Sequence, residues 1–212
     1  PLSLMIIFSI IFGFLLDVET GDVPYPLFVY SALLPWLFFT SAINNGVPSL
    51  INNMNLVTKI YFPREILPIA GIGAAFVDLL VGILMFGLMM IFYRLPMHIT
   101  LLWVPVLIVV QILLATGISL FASAVIVFFR DVRFVVPLAL QLWMYLTPVI
   151  YPLDVIPRPW RGVYMLNPMA AIIDGYRKVI LEGNDPQWQY ILPGLAISLV
   201  IFIGGYAFFK RM

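Results

Sequence analysis

ILPIAGIGAAFVDLLVGILMFGLMMIFY, residues 66–93, carries one charge, Asp78, in a run long enough to cross a bilayer. A helix rising about 1.5 Å per residue needs roughly 20 apolar residues to cross about 30 Å of hydrocarbon. The whole chain reads the same way. Its 212 residues are 63% hydrophobic and 10% charged, with mean hydropathy +1.09. A soluble domain carries about 25% charged residues. No soluble core absorbs so much apolar surface, so the solvent for most of the chain is lipid. The net charge of +1 argues against nucleic acid as a partner. There is no cysteine, which excludes disulfides, thiolate metal sites and cysteine nucleophiles. The one histidine, His98, cannot build a multi-histidine metal site.

Outward from this run, charges mark the gaps between further spans. Residues 1–16 are uncharged but short, as a truncated first span would be. The chain begins at Pro1 already inside apolar sequence, so an amino-terminal part is expected to be missing. No basic leader or small-residue cleavage site makes residues 1–16 a signal peptide. Asp17, Glu19 and Asp22 form an acidic loop with Gly21 and Pro24. A second span, 26–50, leads into Asn52, Asn53 and Asn55, then Lys59, Arg64 and Glu65. After the third span come a tight turn, Arg94–His98, and a fourth span at 100–128. Arg130, Asp131 and Arg133 make a short charged loop before a fifth span, 134–151. The last span, 189–209, ends at Lys210 and Arg211. The expected fold is all-α: one polytopic membrane domain over residues 1–212, with six transmembrane helices.

Lys and Arg in loops set orientation. A cytoplasmic carboxyl terminus puts Lys59, Arg64, Arg130, Arg133, Lys210 and Arg211 inside. Arg94, Arg158, Arg161, Arg177 and Lys178 then lie outside, four of them in one long segment, 152–187. That segment is too polar to span. In it, Asn167-Pro168 reads as a helix start, Asn as cap and Pro at the first helical position. Met169, Ile172, Ile173, Tyr176 and Ile180 fall on one face, with Asp174 and Lys178 as an i,i+4 pair on the other. Gly183 is a C-cap. The expectation is an amphipathic helix lying at the membrane surface or re-entering it.

Enzyme signatures are absent. None of Lys59, Lys178 and Lys210 follows a glycine, so there is no phosphate loop, and no HExxH or GxSxG occurs. Asp78 is the one charge at bilayer depth. It is either an ion-coupling group or a buried acid hydrogen-bonded to a neighbouring helix, on a small-residue face with Gly71, Ala74 and Ala75. In the second span Trp36, Thr40 and Asn44 recur at i, i+4 and i+8, beside Phe39. In the fifth, Gln141 and Tyr145 sit four apart. Lipid does not satisfy free amides, so these stripes should turn inward. Interfacial anchoring or ordinary interhelix packing is the alternative, and anchoring is favoured for Tyr151 and Trp160. The loop NNMNLVTKIYFPRE, Asn52–Glu65, puts Met54, Val57 and Tyr61 on one face, as a plain connector or a helix that docks a soluble partner's groove.

At this loop the likeness becomes specific. NLVTKIYFPREILPIA, Asn55–Ala70, resembles the region between the second and third spans of bacterial type-2 ATP-binding-cassette export permeases, especially exporters of O-antigen, teichoic acid and capsular polysaccharide. VFFRDVRFVVPLALQLWMYLTPVIYP, Val127–Pro152, is similar to the family's junction of fourth and fifth spans. LNPMAAIIDGYRKVIL, Leu166–Leu181, is similar to its Asn-Pro segment before the last span. The three runs lie in family order at family spacing, and the likeness covers nearly the whole chain.

The resemblance implies a homodimeric permease in the bacterial inner membrane, each half bound to a separate ATPase subunit that carries the ATP and Mg. No cofactor, metal or catalytic residue is expected in this chain. Residues 52–62 would be the coupling helix, with Asn53, Met54, Val57, Lys59, Tyr61, Phe62, Arg64 and Glu65 at the first ATPase contact and Arg130 and Asp131 at the second. Trp36, Phe39, Thr40, Asn44, Gln141 and Tyr145 would line the path of a lipid-linked polysaccharide. Residues 154–183, including Asn167, Pro168 and Arg177, would form short gate helices at the outer mouth. A drug or small-lipid exporter of the same superfamily is the alternative. A secondary transporter using Asp78 is a third reading, which requires transport without any ATPase.

Overall fold

The computed structural model describes residues 2–15, 23–59 and 61–212, and the acidic loop around Asp17, Glu19 and Asp22 lies outside the described residues. Helix α1, Leu2–Phe8, runs on as a π-helical turn, Ser9–Leu15. Then follow α2 (Tyr25–Gly46), the short α3 (Ser49–Asn52) and α4 (Met54–Lys59), and α5 (Ile66–Phe92). A 3₁₀ turn, Ile99–Trp103, leads into α6 (Val104–Phe128), and α7 covers Val132–Tyr145. The remainder is α8 (Arg158–Tyr164), α9 (Pro168–Arg177), a π-helical turn (Lys178–Glu182) and α10 (Trp188–Arg211). No strand occurs among the described residues.

Among the described residues, four helices are long and apolar enough to cross a membrane: Tyr25–Gly46, Ile66–Phe92, Ile99–Phe128 and Trp188–Arg211. They match the second, third, fourth and last expected spans. The fifth differs. A helix was expected over 134–151, but α7 stops at Tyr145 after 14 residues, about 21 Å at the usual rise. Its continuation, 147–150, is buried non-helical chain. Irregular backbone at membrane depth survives only inside protein, and here other helices enclose it.

Helix α2 sits at the centre. Leu27, Tyr30, Leu33, Phe39 and Ile43 are essentially inaccessible, and they lie on more than one of its faces. By contrast α5 buries one stripe, Ile72, Ala75, Leu79, Phe86 and Met90, and exposes Leu80, Leu84, Leu88 and Ile91. An i, i+3/i+4 stripe of this kind packs on protein while the outer face meets hydrocarbon.

Small residues permit the closest crossings, as expected where lipid gives helices no hydrophobic drive to associate. A Cβ on Gly71 of α5 would stand 2.9 Å from the α2 backbone at Asn45 and Gly46. A Cβ on Gly117 of α6 would stand 2.6 Å from the backbone of Phe202 on α10. Of the expected small-residue face on α5, Gly71 and Ala75 do meet α2, whereas Ala74 and Asp78 are exposed. We predict that Gly117→Val costs about 1–3 kcal/mol through overpacking, while Gly204→Val, where an added Cβ meets nothing within 4 Å, is close to neutral. Thermal unfolding in detergent compares the two.

Candidate functional site

One end of the bundle gathers the expected coupling residues. Helix α4 is six residues long and buries none of them. Met54 and Leu56 are half exposed, and Tyr61 is fully exposed. The helix ends at Lys59, so Tyr61 lies in non-helical chain and does not share a helical face with Met54 and Val57. Asn53 is partly buried: its side-chain amide donates to the Ser49 carbonyl at 2.8 Å, which fixes the turn between α3 and α4. A cleft brings Met54 and Val57 beside Arg64 and beside Val127 near the end of α6. Arg64, Arg130 and Asp131 are exposed, and Phe62 is half-buried. Glu65 is not free for a partner. Its Oε1 accepts from Lys210 Nζ at 2.6 Å, tying the start of α5 to the end of α10.

The path residues divide. Trp36 and Phe39 are inside the protomer, 3% and 0% exposed. The Phe39 ring meets Trp143 of α7 edge-on at 5.4 Å, which seats α7 against α2. Thr40 is half-buried, its hydroxyl donating to the carbonyls of Trp36 and Leu37 at 3.1 Å. Asn44 and Gln141 are exposed, as is Tyr145. The protomer surface around α7 is otherwise apolar, with Phe134, Val135, Leu138 and Leu142 exposed.

Asp78 lies near the middle of α5 and is exposed on the protomer surface. It borders a groove with Tyr30, Phe38 and Ser41 of α2. The expectation of a buried acid bonded to a neighbouring helix does not hold. Position 78 falls beside the packed stripe, and no hydrogen bond to it is found among the described residues.

The gate segment is the most tightly determined part. The Asn167 side chain caps α9 by accepting from the Met169 N–H at 3.1 Å, as the Asn-Pro pair predicts. It does more than cap. Its Oδ1 also accepts from Trp143 Nε1, and its Nδ2 donates to the Leu146 carbonyl and to Thr147 Oγ1, each at 3.0 Å. One amide thus fastens the end of α7 to the start of α9. Residues 168–177 are all buried, so α9 does not lie on the membrane surface with a polar face to water. It is enclosed by α2, α6 and α10. The Asp174–Lys178 pair forms at 2.9 Å, and Gly183 ends the following turn in the left-handed conformation at φ 66°.

Arg177 is buried. It donates from Nη1 to the Tyr151 carbonyl at 3.1 Å and from Nη2 to the Val149 carbonyl at 2.8 Å. Its guanidinium carbon stands 3.8 Å over the Phe28 ring. The Tyr25 hydroxyl adds a bond to the Ile150 carbonyl at 3.0 Å. These donors satisfy the irregular backbone that follows α7. Trp160 is exposed, while the Tyr151 hydroxyl bonds Tyr145 O and Tyr164 Oη.

Sequence reasoning missed Gln111, Trp143, Tyr25 and Phe28. Gln111 could have been found as an amide within a span. The other three are aromatic residues in an aromatic-rich chain, and composition gives them no separate signal.

The sequence profile of the family described as ABC-2 type transporter matches residues 1–181. The chain is 28% identical over 213 residues to the O-antigen export system permease protein RfbA of Klebsiella pneumoniae, covering 100% of this chain and 81% of that protein. It is 28% identical over 190 residues to RfbA of Myxococcus xanthus, covering 88% of this chain and 72% of that one. It is 23% identical over 221 residues to the polysialic acid transport protein KpsM of Escherichia coli, covering 96% and 80%.

Two predictions follow from this geometry. Asn167→Ala should destabilise by more than the roughly 1 kcal/mol of an ordinary cap, because it also strands Trp143 Nε1 and the Leu146 carbonyl. Asn167→Asp, which keeps the acceptors and loses the donors, should fall between it and wild type in thermal unfolding. The hydrogen bond from Lys210 holds the Glu65 carboxyl below the usual carboxylate range. Its contribution is therefore present above that range and lost as pH falls through the lowered value. Glu65→Gln should remove this acid dependence from the unfolding midpoint.

Proposed function

The chain belongs to the ABC-2 type transporter family, and from that premise we propose that it is the transmembrane subunit of an exporter of lipid-linked polysaccharide. The permease moves O-antigen, teichoic acid or capsule out across the bacterial inner membrane. It works as a homodimer, with an ATP-binding-cassette ATPase docked on each half. ATP and Mg belong to that partner, and this chain contributes the passage. Residues 1–212 act as one transmembrane permease domain. The names of the relatives support the polysaccharide assignment.

The observation that carries the ATPase contact is α4. An isolated helix of six residues is not stable in water, and this one buries nothing within its own chain. Its exposed Met54 and Leu56, with Arg64, Arg130 and Asp131 at the same end, suit the groove of a soluble subunit. Arg177 sharpens the orientation that puts this end in the cytoplasm. Because Arg177 is inside protein, it does not count as a loop charge at the other end. Lys59, Arg64, Arg130, Arg133, Lys210 and Arg211 then outweigh Arg94, Arg158, Arg161 and Lys178.

In the mechanism, ATP closes the partner subunits and displaces α4. The Glu65–Lys210 pair passes that displacement from α5 to α10. The two halves shift against each other, and the polymer passes between the α2 and α7 surfaces that bear Thr40, Asn44, Gln141 and Tyr145. Trp36 and Phe39 act from behind, by holding α7 in place. The Asn167 and Arg177 clamps keep the outer gate closed between cycles. Mixed aromatic and amide surfaces also suit drug-like amphiphiles, so a small-molecule exporter is the second reading. Bound glycan after co-purification with the ATPase favours polysaccharide, and bound amphiphile alone favours the second reading.

Arg64→Ala should leave ATP hydrolysis by the complex intact and reduce export at least about tenfold, equal to about 1.4 kcal/mol of lost coupling. Parallel ATPase and export assays check this, and undiminished export removes the coupling role.

A further inference from the structure

Beside the crossing of α2 and α5, a cavity of about 190 Å³ is walled by Leu34, Phe86, Met90, Met97, Leu101 and Ile180. Two hydroxyls reach its wall and both are engaged by protein. Ser31 donates to the Phe28 carbonyl at 2.8 Å, and Tyr176 donates to Gln111 Oε1 at 3.4 Å. A trapped water needs two to four polar partners, and an apolar cavity of about 150 Å³ stays dry and accepts a hydrocarbon guest. Its lining includes the exposed apolar side chains of Ile83 and Met97. Met97 is 66% exposed, and Leu84, Leu88 and Ile91 are exposed along the same stretch of α5. The cavity is thus continuous with the lipid surface of the protein. Left empty, its walls lose packing contacts that a neighbouring aliphatic chain supplies. Met90 and Met97 are unbranched and adapt to such a guest.

We propose that this cavity holds one acyl chain of a bilayer phospholipid, as a resident part of the fold. Arg94 stands in the turn that carries Met97. It is exposed, with φ 55°, and offers a cation that would pair with the lipid's phosphate. The seated chain packs on Tyr176 and Ile180, on either side of the Arg177 clamp in sequence, and so supports the closed gate.

The test uses the protein with its co-purifying subunits in vesicles of phosphatidylethanolamine and phosphatidylglycerol. A phospholipid with a diazirine near the glycerol end of one acyl chain is the probe. Irradiation and peptide mapping should label Met90, Met97, Leu101 or Ile180 more strongly than bulk-facing Leu84 and Leu88. Gly87→Leu fills the space, since a Cβ there meets nothing within 4 Å. It should abolish the cavity labels, keep the Leu84 label and leave the melting temperature undiminished. If that variant does not fold, Met97→Trp at the exposed mouth makes the same test. Cavity labels no stronger than bulk-facing ones, or labels that survive the substitution, overturn the proposal. So does displacement of the probe by polyprenyl phosphate but not by excess phospholipid.

Discussion

Gln111 on α6 donates to the Pro35 carbonyl on α2 and accepts from the Tyr176 hydroxyl on α9. It is fully buried. Hydrocarbon offers no hydrogen bonds, so an amide at this depth must find protein partners on other helices. The carbonyl it uses belongs to a proline, a residue with no N–H of its own within the α2 ladder. This one side chain joins three helices, and α9 is one of them only because it is enclosed in the bundle. The buried position of the gate helix depends on that demand for partners.

The same demand explains the region after α7. Residues 147–150 leave the helical ladder while buried. Arg177 and Tyr25 donate to the carbonyls of Val149 and Ile150, and Asn167 donates to the Leu146 carbonyl and the Thr147 hydroxyl just before them. A buried guanidinium is costly without partners, and here it has two carbonyls, an aromatic face and the nearby Asp174. The early end of α7 leaves a short helix with an exposed apolar face. The break and the groups that clamp it answer the same demand for partners.

The two ends of the bundle contrast physically. At the gate end, Asn167 and Arg177 bond inward to the chain that follows α7. At the other, α4 and its neighbouring charges are presented outward, and the Glu65–Lys210 pair links α5 to α10. A structure closed at one end and open at the other suits a permease driven by a subunit that docks on the open end.

Much of this was legible in the sequence. Hydropathy runs determine four spans, because lipid imposes length and apolarity directly on the residues. The Asn-Pro cap, the Asp174–Lys178 pair and the Gly183 stop were equally readable, since each is local. The family motif around the α4 loop was also carried by contiguous residues. Only the tertiary structure decided where α7 ends, because an apolar run does not record which carbonyls Arg177 will satisfy. It alone made α9 internal and left Asp78 on the surface, because the face a helix buries depends on its neighbours. It alone showed Trp36 and Phe39 buried, with Phe39 against Trp143 of α7: an aromatic stripe looks the same in sequence whether it faces outward or holds a helix in place.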